Sequence, residues 1–254
     1  RTMPLPPNDL SWFSENLAET VQEIVDAWTD AGGSATFNQA PPEMIQEALE
    51  QLVEVLRLSN QDQRLTPVTR DESAASVDIS ELGGYGLNML TELSQITADL
   101  RLGGLSERLE QLAVSLAFWV IGQGGELSSV ELVVNGLARI ANSTLDALEL
   151  ERLFVAMSDL LDAIPPGVLQ QRPAEPEQQP WQLLLLNRAI VATRSLSPLL
   201  METAFSDVAE HLPETAPGFF REGMEQIKLR GYPEPVAAII ERYYREWPSA
   251  KTLH

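Results

Sequence analysis

The sequence predicts an all-α fold, and three observations carry that reading. Apolar residues recur at spacings of three and four along nearly the whole chain. Gly and Pro pairs punctuate those runs at helix-length intervals. Alternating strand patterns built on Val, Ile, Thr and aromatics are absent. The expected architecture is a set of antiparallel helical hairpins, forming an irregular α-solenoid or two packed helical subdomains.

The first helix carries its apolar stripe on Leu10, Phe13, Leu17, Val21, Ile24, Val25 and Trp28. Gly32 and Gly33 end it, because glycine accepts the left-handed conformation just past a helix. Pro41 and Pro42 open the second helix, where a missing N–H costs nothing, and its stripe is Ile45, Leu49, Leu52, Val53 and Leu56. Residues 59–77 are polar and aperiodic and read as a long, mobile surface loop. Asp78 is placed to cap the third helix. Gly83, Gly84 and Gly86 are expected to interrupt that helix early, leaving a firm segment over 87–102. Gly103 and Gly104 stop it. Leu109, Leu112, Ala113, Leu116, Ala117 and Val120 mark the fourth helix, ended by Gly122, Gly124 and Gly125. Ser128 and Glu131 have the spacing of a capping box for the fifth, which carries Val130, Val133, Val134, Leu137 and Ile140. The sixth runs through Leu150, Leu153, Phe154, Met157, Leu160, Leu161 and Ile164 to Pro165-Pro166-Gly167.

Residues 170–180 hold three prolines and no aliphatic residue larger than alanine, the composition of a linker. The expected organisation is an N-terminal helical subdomain over 1–169, a Pro/Gln linker over 170–180 and a C-terminal hairpin subdomain over 181–254. Four helices are expected after the linker, at 181–195, 198–212, 215–230 and 235–247.

Composition excludes several chemistries. The 254 residues include no Cys and 2 His, His211 and the terminal His254. Thiol catalysis, Fe–S clusters and Cys-based zinc sites are therefore absent, and a Ser-His-Asp relay has almost nothing to draw on. His211 is expected in the last turn of a helix, at the negative end of its dipole. Asp146 with Glu151, and Asp159 with Asp162, are close in sequence, but no Glu-x-x-His pair accompanies them. No Gly-rich phosphate loop or nucleophile elbow occurs either. No cofactor and no metal are expected, and the protein reads as non-catalytic.

The net charge is −20, from 37 acids and 17 bases. Scattered single arginines do not make the cationic face that nucleic acid requires, so no nucleic-acid partner is expected. No apolar run approaches the roughly 20 residues of a membrane helix, so no membrane insertion is expected. The cytoplasm is the expected compartment, although a Cys-free chain fits the periplasm equally. Starting at Arg1, the chain reads as trimmed or processed, with no legible signal peptide. The asymmetry of charge is more informative. Up to Leu56 the only base is Arg1, against Asp9, Glu15, Glu19, Glu23, Asp26, Asp30, Glu43, Glu47, Glu50 and Glu54. These acids read as a solvated pair of helices or as a docking face for a basic partner.

An internal repeat follows the linker. A shift of about 35 residues, a period typical of helix-turn-helix repeats, brings the two last hairpins into register. Pro198 falls on Pro233, Pro213 on Pro248, Leu185 on Phe220, Met201 on Val236 and Phe205 on Ile240. Such hairpins bury their faces by stacking on one another. On these residues the stretch 181–248 resembles degenerate tetratricopeptide hairpins. Leu185 and Phe220 stand where that pattern opens its first helix with a large residue, and Gly231 stands at the inter-helix glycine. The leucine-glycine pair of the first helix is replaced by Arg188-Ala189 and Gly223-Met224, and Tyr243 replaces a small residue. The runs from Leu183 to Arg194 and from Gly218 to Met224 are also similar to an uncharacterised all-helical bacterial family. That second similarity implies no activity; the tetratricopeptide resemblance implies a scaffold or adaptor that takes a protein partner in a groove between hairpins.

The candidate binding residues are Asn187, Arg188, Arg194, Tyr232 and Tyr244. Asn187 and Arg194 are seven apart and share a helix face, with Arg188 beside it. An arginine on so apolar a helix must be paired or must face a polar groove. It could hold a carboxylate of a partner or ligand, or pair internally with Glu222, Glu225 or another acid. Tyr232 and Tyr244 are expected to be the exposed members of a cluster that also holds Phe219, Phe220, Tyr243 and Trp247. The expected role is a protein–protein interaction scaffold, with homo-oligomerisation left open. The alternative is a ligand-binding helical protein whose apolar pocket anchors an acidic group on arginine.

Overall fold

Helices form because the apolar stripes need a face to bury and the punctuating residues end each one cleanly. The computed structural model describes residues 3–33, 40–65, 78–170 and 178–248, with side chains of 61–65 left aside. Among the described residues the protein is all-α: eleven helices and no strand. They are α1 (Leu10–Asp30), α2 (Pro42–Leu65), α3 (Ile79–Asp99), α4 (Gly103–Gly122), α5 (Glu131–Ser143), α6 (Ala147–Asp162), α7 (Pro166–Leu169), α8 (Pro180–Arg194), α9 (Pro198–His211), α10 (Ala216–Arg230) and α11 (Glu234–Glu246). None is long and apolar enough to cross a membrane.

Two compact units divide the chain. The first is Pro4–Gly136 with Ala163–Gln170, and the second is Arg1–Met3 with Leu137–Asp162 and Gln171–His254. Most of the stretch read as a linker, residues 171–177, lies outside the described residues.

In the first unit α1 to α4 pack in chain order, and α1 closes back on α4. The core joins the predicted stripes of α1, α2 and α4, through Phe13, Leu17, Ile24, Leu49, Leu56, Leu109, Leu112 and Leu116, to Leu90 and Leu93 of α3, all nearly inaccessible to solvent. Each such side chain contributes about 1.5–3 kcal/mol by leaving water. Asp9 caps α1 by accepting from the N–H groups of Ser11 and Trp12, both at 2.9 Å. Asp78 caps α3 in the same way, from Ser80 and Glu81. Ser115 donates to the carbonyl of Pro7, fastening the N-terminal segment to α4.

Three expectations are corrected. First, α2 does not end near Leu58 but continues through Leu65. Its polar end lacks an apolar stripe, yet no Gly or Pro interrupts it before Pro67. Second, α3 runs unbroken through Gly83, Gly84 and Gly86. Two of these glycines are contact points rather than breaks. A Cβ on Gly83 would lie 2.6 Å from Val120 Cγ2, and one on Gly86 would lie 2.8 Å from Leu116 and Leu52 methyls. Third, Ser128 is not a cap. α5 begins at Glu131, and the Val130 carbonyl accepts its first backbone bond, from Val134.

In the second unit α8 packs on α6 and α9, α10 packs on α11, and α11 packs on α9. The four helices expected after the linker are present within about one residue at each end, the usual latitude of a helix boundary. Gly231, at φ +62°, turns the chain out of α10 in the left-handed conformation.

The adjacent glycines of α3 give a test with opposite signs. Val120 is β-branched, fully buried and stiff about χ1. Gly83→Ala is therefore expected to lower stability by about 1–3 kcal/mol. Nothing lies within 4 Å of a Cβ on Gly84, so Gly84→Ala is expected to raise stability by up to about 1 kcal/mol through helix propensity. Urea midpoints of the two variants check both.

Candidate functional site

The clearest concavity lies in the second unit, between α8 and α10. It is a groove of about 700 Å³. One wall is the α8 face formed by Leu183, Leu186, Asn187, Ile190, Thr193 and Arg194. The other is α10, from Phe219 through Glu222, Gly223 and Gln226 to Arg230. Phe205, Phe220 and Ile240 form the floor, and Tyr232 stands beyond the end of α10.

The walls follow from the sequence of α8. Its buried face is Trp181, Leu184, Leu185, Arg188, Ala189, Val191 and Ala192. That leaves Leu183, Leu186 and Ile190 as a second apolar stripe at spacings of three and four. Ile190 is 45% exposed, and Leu183 and Leu186 are half-buried. The opposite wall is just as incompletely covered: α10 buries only Ala216 and Phe220. The connections α8–α9 and α9–α10 are short, so α9 is antiparallel to both and α8 and α10 run in the same direction. One end of the groove is therefore apolar, with Leu183, Leu186 and Phe219. The other end carries Arg194, Arg230 and Tyr232.

The floor is an aromatic cluster. Phe205 sits edge-on to Phe219 at 5.8 Å and to Tyr243 at 5.4 Å, and Phe220 lies 5.3 Å from Phe205 and 5.1 Å from Tyr243. Tilted and edge-to-face pairs of this kind add about 0.5–1.5 kcal/mol each beyond burial. Gly223 faces the floor, where a Cβ would lie 3.1 Å from Ile240.

The five candidate residues have different fates. Asn187 and Arg194 share the groove face, as their spacing predicts, and Tyr232 joins them. Arg188 turns the other way. It is 4% exposed, its Nε donates to Ser158 Oγ at 2.8 Å, its Nη1 pairs with Asp207 at 2.7 Å, and its guanidinium lies 4.4 Å from the Phe154 ring centroid. It is internally paired, with an acid of α9 rather than Glu222 or Glu225. Arg194 is also engaged. Its Nη atoms donate to the carbonyls of Ala141, at 2.7 Å, and Thr144. These are carbonyls at the C-terminal end of α5, which a cation satisfies well. Tyr244 does not line the groove and, like Tyr232, is half-buried rather than fully exposed.

Sequence reasoning missed Leu186, Ile190 and Arg230. The first two were legible in α8, which has more apolar positions than one face can bury. Arg230 gave no distinct signal. Its Nε donates to Gln226 at 3.0 Å, and the side chain is otherwise exposed at the groove end. Below the floor, Arg242 pairs with Glu202 and lies over the Tyr243 ring. Burial, followed by the charge of Glu202, raises the Tyr243 hydroxyl above the ordinary 10.0.

His211 lies in the last turn of α9, its Nδ1 3.0 Å from the Asp207 carbonyl. Among the described residues no group of three or more His, Asp or Glu is arranged to hold a metal. The chain matches no family model, no curated protein and no solved structure.

Two outcomes follow from these contacts. Arg188→Met keeps the apolar stem but strips Asp207, whose side chain is 29% exposed, of its partner. It is expected to cost about 2–4 kcal/mol, with most of the loss recovered in Arg188→Met/Asp207→Leu. Asn187→Ala should stay within about 0.5 kcal/mol of the parent. Thermal and urea unfolding measure all three. The second outcome concerns alkaline pH. The unfolded chain releases its phenolic protons near pH 10.0, before folded Tyr243 does. The stability contributed by that difference is complete below this pH and is lost as pH rises through the folded value. Tyr243→Phe is expected to flatten this alkaline decline, read as the variant-minus-parent difference in unfolding free energy across pH 9 to about 11.

Proposed function

We propose that the second unit is a non-catalytic docking module, and that the groove between α8 and α10 holds an amphipathic segment of a protein partner. The observation that carries this reading is the incomplete closure of two apolar walls. Ile190 is 45% exposed, opposite a helix that buries only Ala216 and Phe220. Apolar side chains of the partner would seat on Leu183, Leu186, Ile190 and Phe219. Asn187, Gln226 and Tyr232 would supply the polar rim that fixes register. The tetratricopeptide-like spacing of residues 181–248 supports the same use, since stacked hairpins of that kind present the faces of their first helices to partners.

A second reading rests on the groove's size. A cavity of about 700 Å³ falls within the range of small-molecule sites. In that reading Arg230 is the anchor for an acidic group, because Arg188 and Arg194 are held by internal contacts.

The test is affinity capture with cross-linking from source-cell extract, using the parent and an Ile190→Glu/Leu186→Glu variant. The expected result is a partner whose cross-links map to α8 and α10. Its capture should fall at least about tenfold in the variant, as burying unpaired charge in an interface core demands, while the melting temperature is unchanged. Equal capture by the variant, or cross-links elsewhere, would refute the docking reading. A small molecule seen by native mass spectrometry and lost in Arg230→Ala would favour the second.

A further inference from the structure

The exposed side of α2 is organised into two parallel stripes. The core stripe is Ile45, Leu49, Leu52, Val53 and Leu56. On the solvent side, Met44, Ala48, Gln51, Val55 and Leu58 follow one another at spacings of four and three. Met44 is 63% exposed, Val55 41% and Leu58 54%. One position before the first four, about 100° round the helix, stand Glu43, Glu47, Glu50 and Glu54, all exposed, and Arg57 precedes Leu58. This mainly apolar stripe, interrupted by Gln51, runs for about 21 Å of helix, with a row of four glutamates about 17 Å long beside it on the side away from the core. α1, packed on α2, adds exposed Glu15, Glu19, Glu23, Asp26 and Asp30. Of these acids Glu23 is ion-paired, with Arg108 at 2.6 Å.

We propose that this face of α2 docks a basic amphipathic helix, one whose apolar stripe is flanked by lysine or arginine. Charge complementarity selects that occupant. A second copy of this chain, with its net charge of −20, would bring like charge to these carboxylates. An anionic lipid surface would be repelled by the same carboxylates. A helix with leucine-like side chains along one face and cations beside them covers Met44, Val55 and Leu58 while neutralising the glutamates. The proposal does not depend on the groove of the second unit.

The probe is a synthetic Leu/Lys amphipathic peptide of about 15–18 residues, roughly the length of the stripe, titrated against the full chain by fluorescence anisotropy. A Lys/Gln peptide of the same charge reports non-specific attraction to a protein of net charge −20. The Leu/Lys peptide is expected to bind at least about tenfold more tightly than the Lys/Gln peptide, and to weaken about tenfold at high salt. Val55→Ser/Leu58→Ser and Glu47→Lys/Glu54→Lys should each reduce its affinity by about tenfold or more. Asp159→Lys/Asp162→Lys, the same charge change on α6, should alter it by less than about twofold. All six substituted positions are exposed, and circular dichroism confirms that each variant is folded. Hydrogen-exchange protection is expected on 43–58. Binding that ignores the α2 variants, protection elsewhere, or a dimer dispersed by Leu58→Ser overturns the proposal.

Discussion

The buried guanidinium of Arg188 is the constraint around which the second unit is arranged. A cation 4% exposed is tolerable only with partners in place on every side. Those partners come from two other helices: Ser158 and Phe154 from α6, and Asp207 from α9. Satisfying them fixes the rotation of α8 about its own axis. Asn187, one residue earlier, and Ile190, two residues later, are then turned towards the groove. Arg194, six residues on, reaches the last carbonyls of α5. One buried charge thereby decides which apolar residues of α8 remain uncovered.

The groove persists because α10 is held from below rather than from the side. Its anchor is Phe220, clamped between Phe205 and Tyr243, and Gly223 lets Ile240 approach closely. These contacts draw α10 onto α11 and α9. They supply nothing between α8 and α10 above the aromatic floor. Closing the groove would require Phe219 and Gln226, which line it, to reach Leu186 and Ile190, and that would pull Phe220 out of a packed cluster.

The fold was legible where the signal was local. Proline openings and glycine exits depend on a few neighbouring residues, and α1 and α8 to α11 follow them closely. The sequence misleads where a residue serves a distant contact. Gly83 and Gly86 look like breaks because glycine is a poor helix former; they are retained for the close approach of Val120, Leu116 and Leu52, which no local pattern reveals. Ser128 and Glu131 have capping-box spacing, yet the helix starts at Glu131 itself. In the candidate site, helical spacing correctly joined Asn187 to Arg194. It could not say that Arg188 would find Asp207, because that pairing depends on how α9 folds back. The same distance dependence hid Arg230, whose place at the groove end is set by the orientation of α10.

The acids of α1 and α2 are arranged against the helices' own interest. Glu15, Glu19 and Glu23 repeat at four-residue spacing, as do Asp26 with Asp30, Glu43 with Glu47, and Glu50 with Glu54. Each like-charged pair costs a few tenths of a kcal/mol in an exposed helix. Asp30 lies in the last turn of α1, which has no basic residue, so it also opposes the negative end of the dipole. Solubility alone needs neither alignment nor this position, since the same charges dispersed around the helices would repel water-borne aggregates as well. Alignment beside uncovered Met44, Val55 and Leu58 gains something only when an aligned set of cations is brought to it. The repulsion is then relieved and the apolar stripe leaves water in the same step.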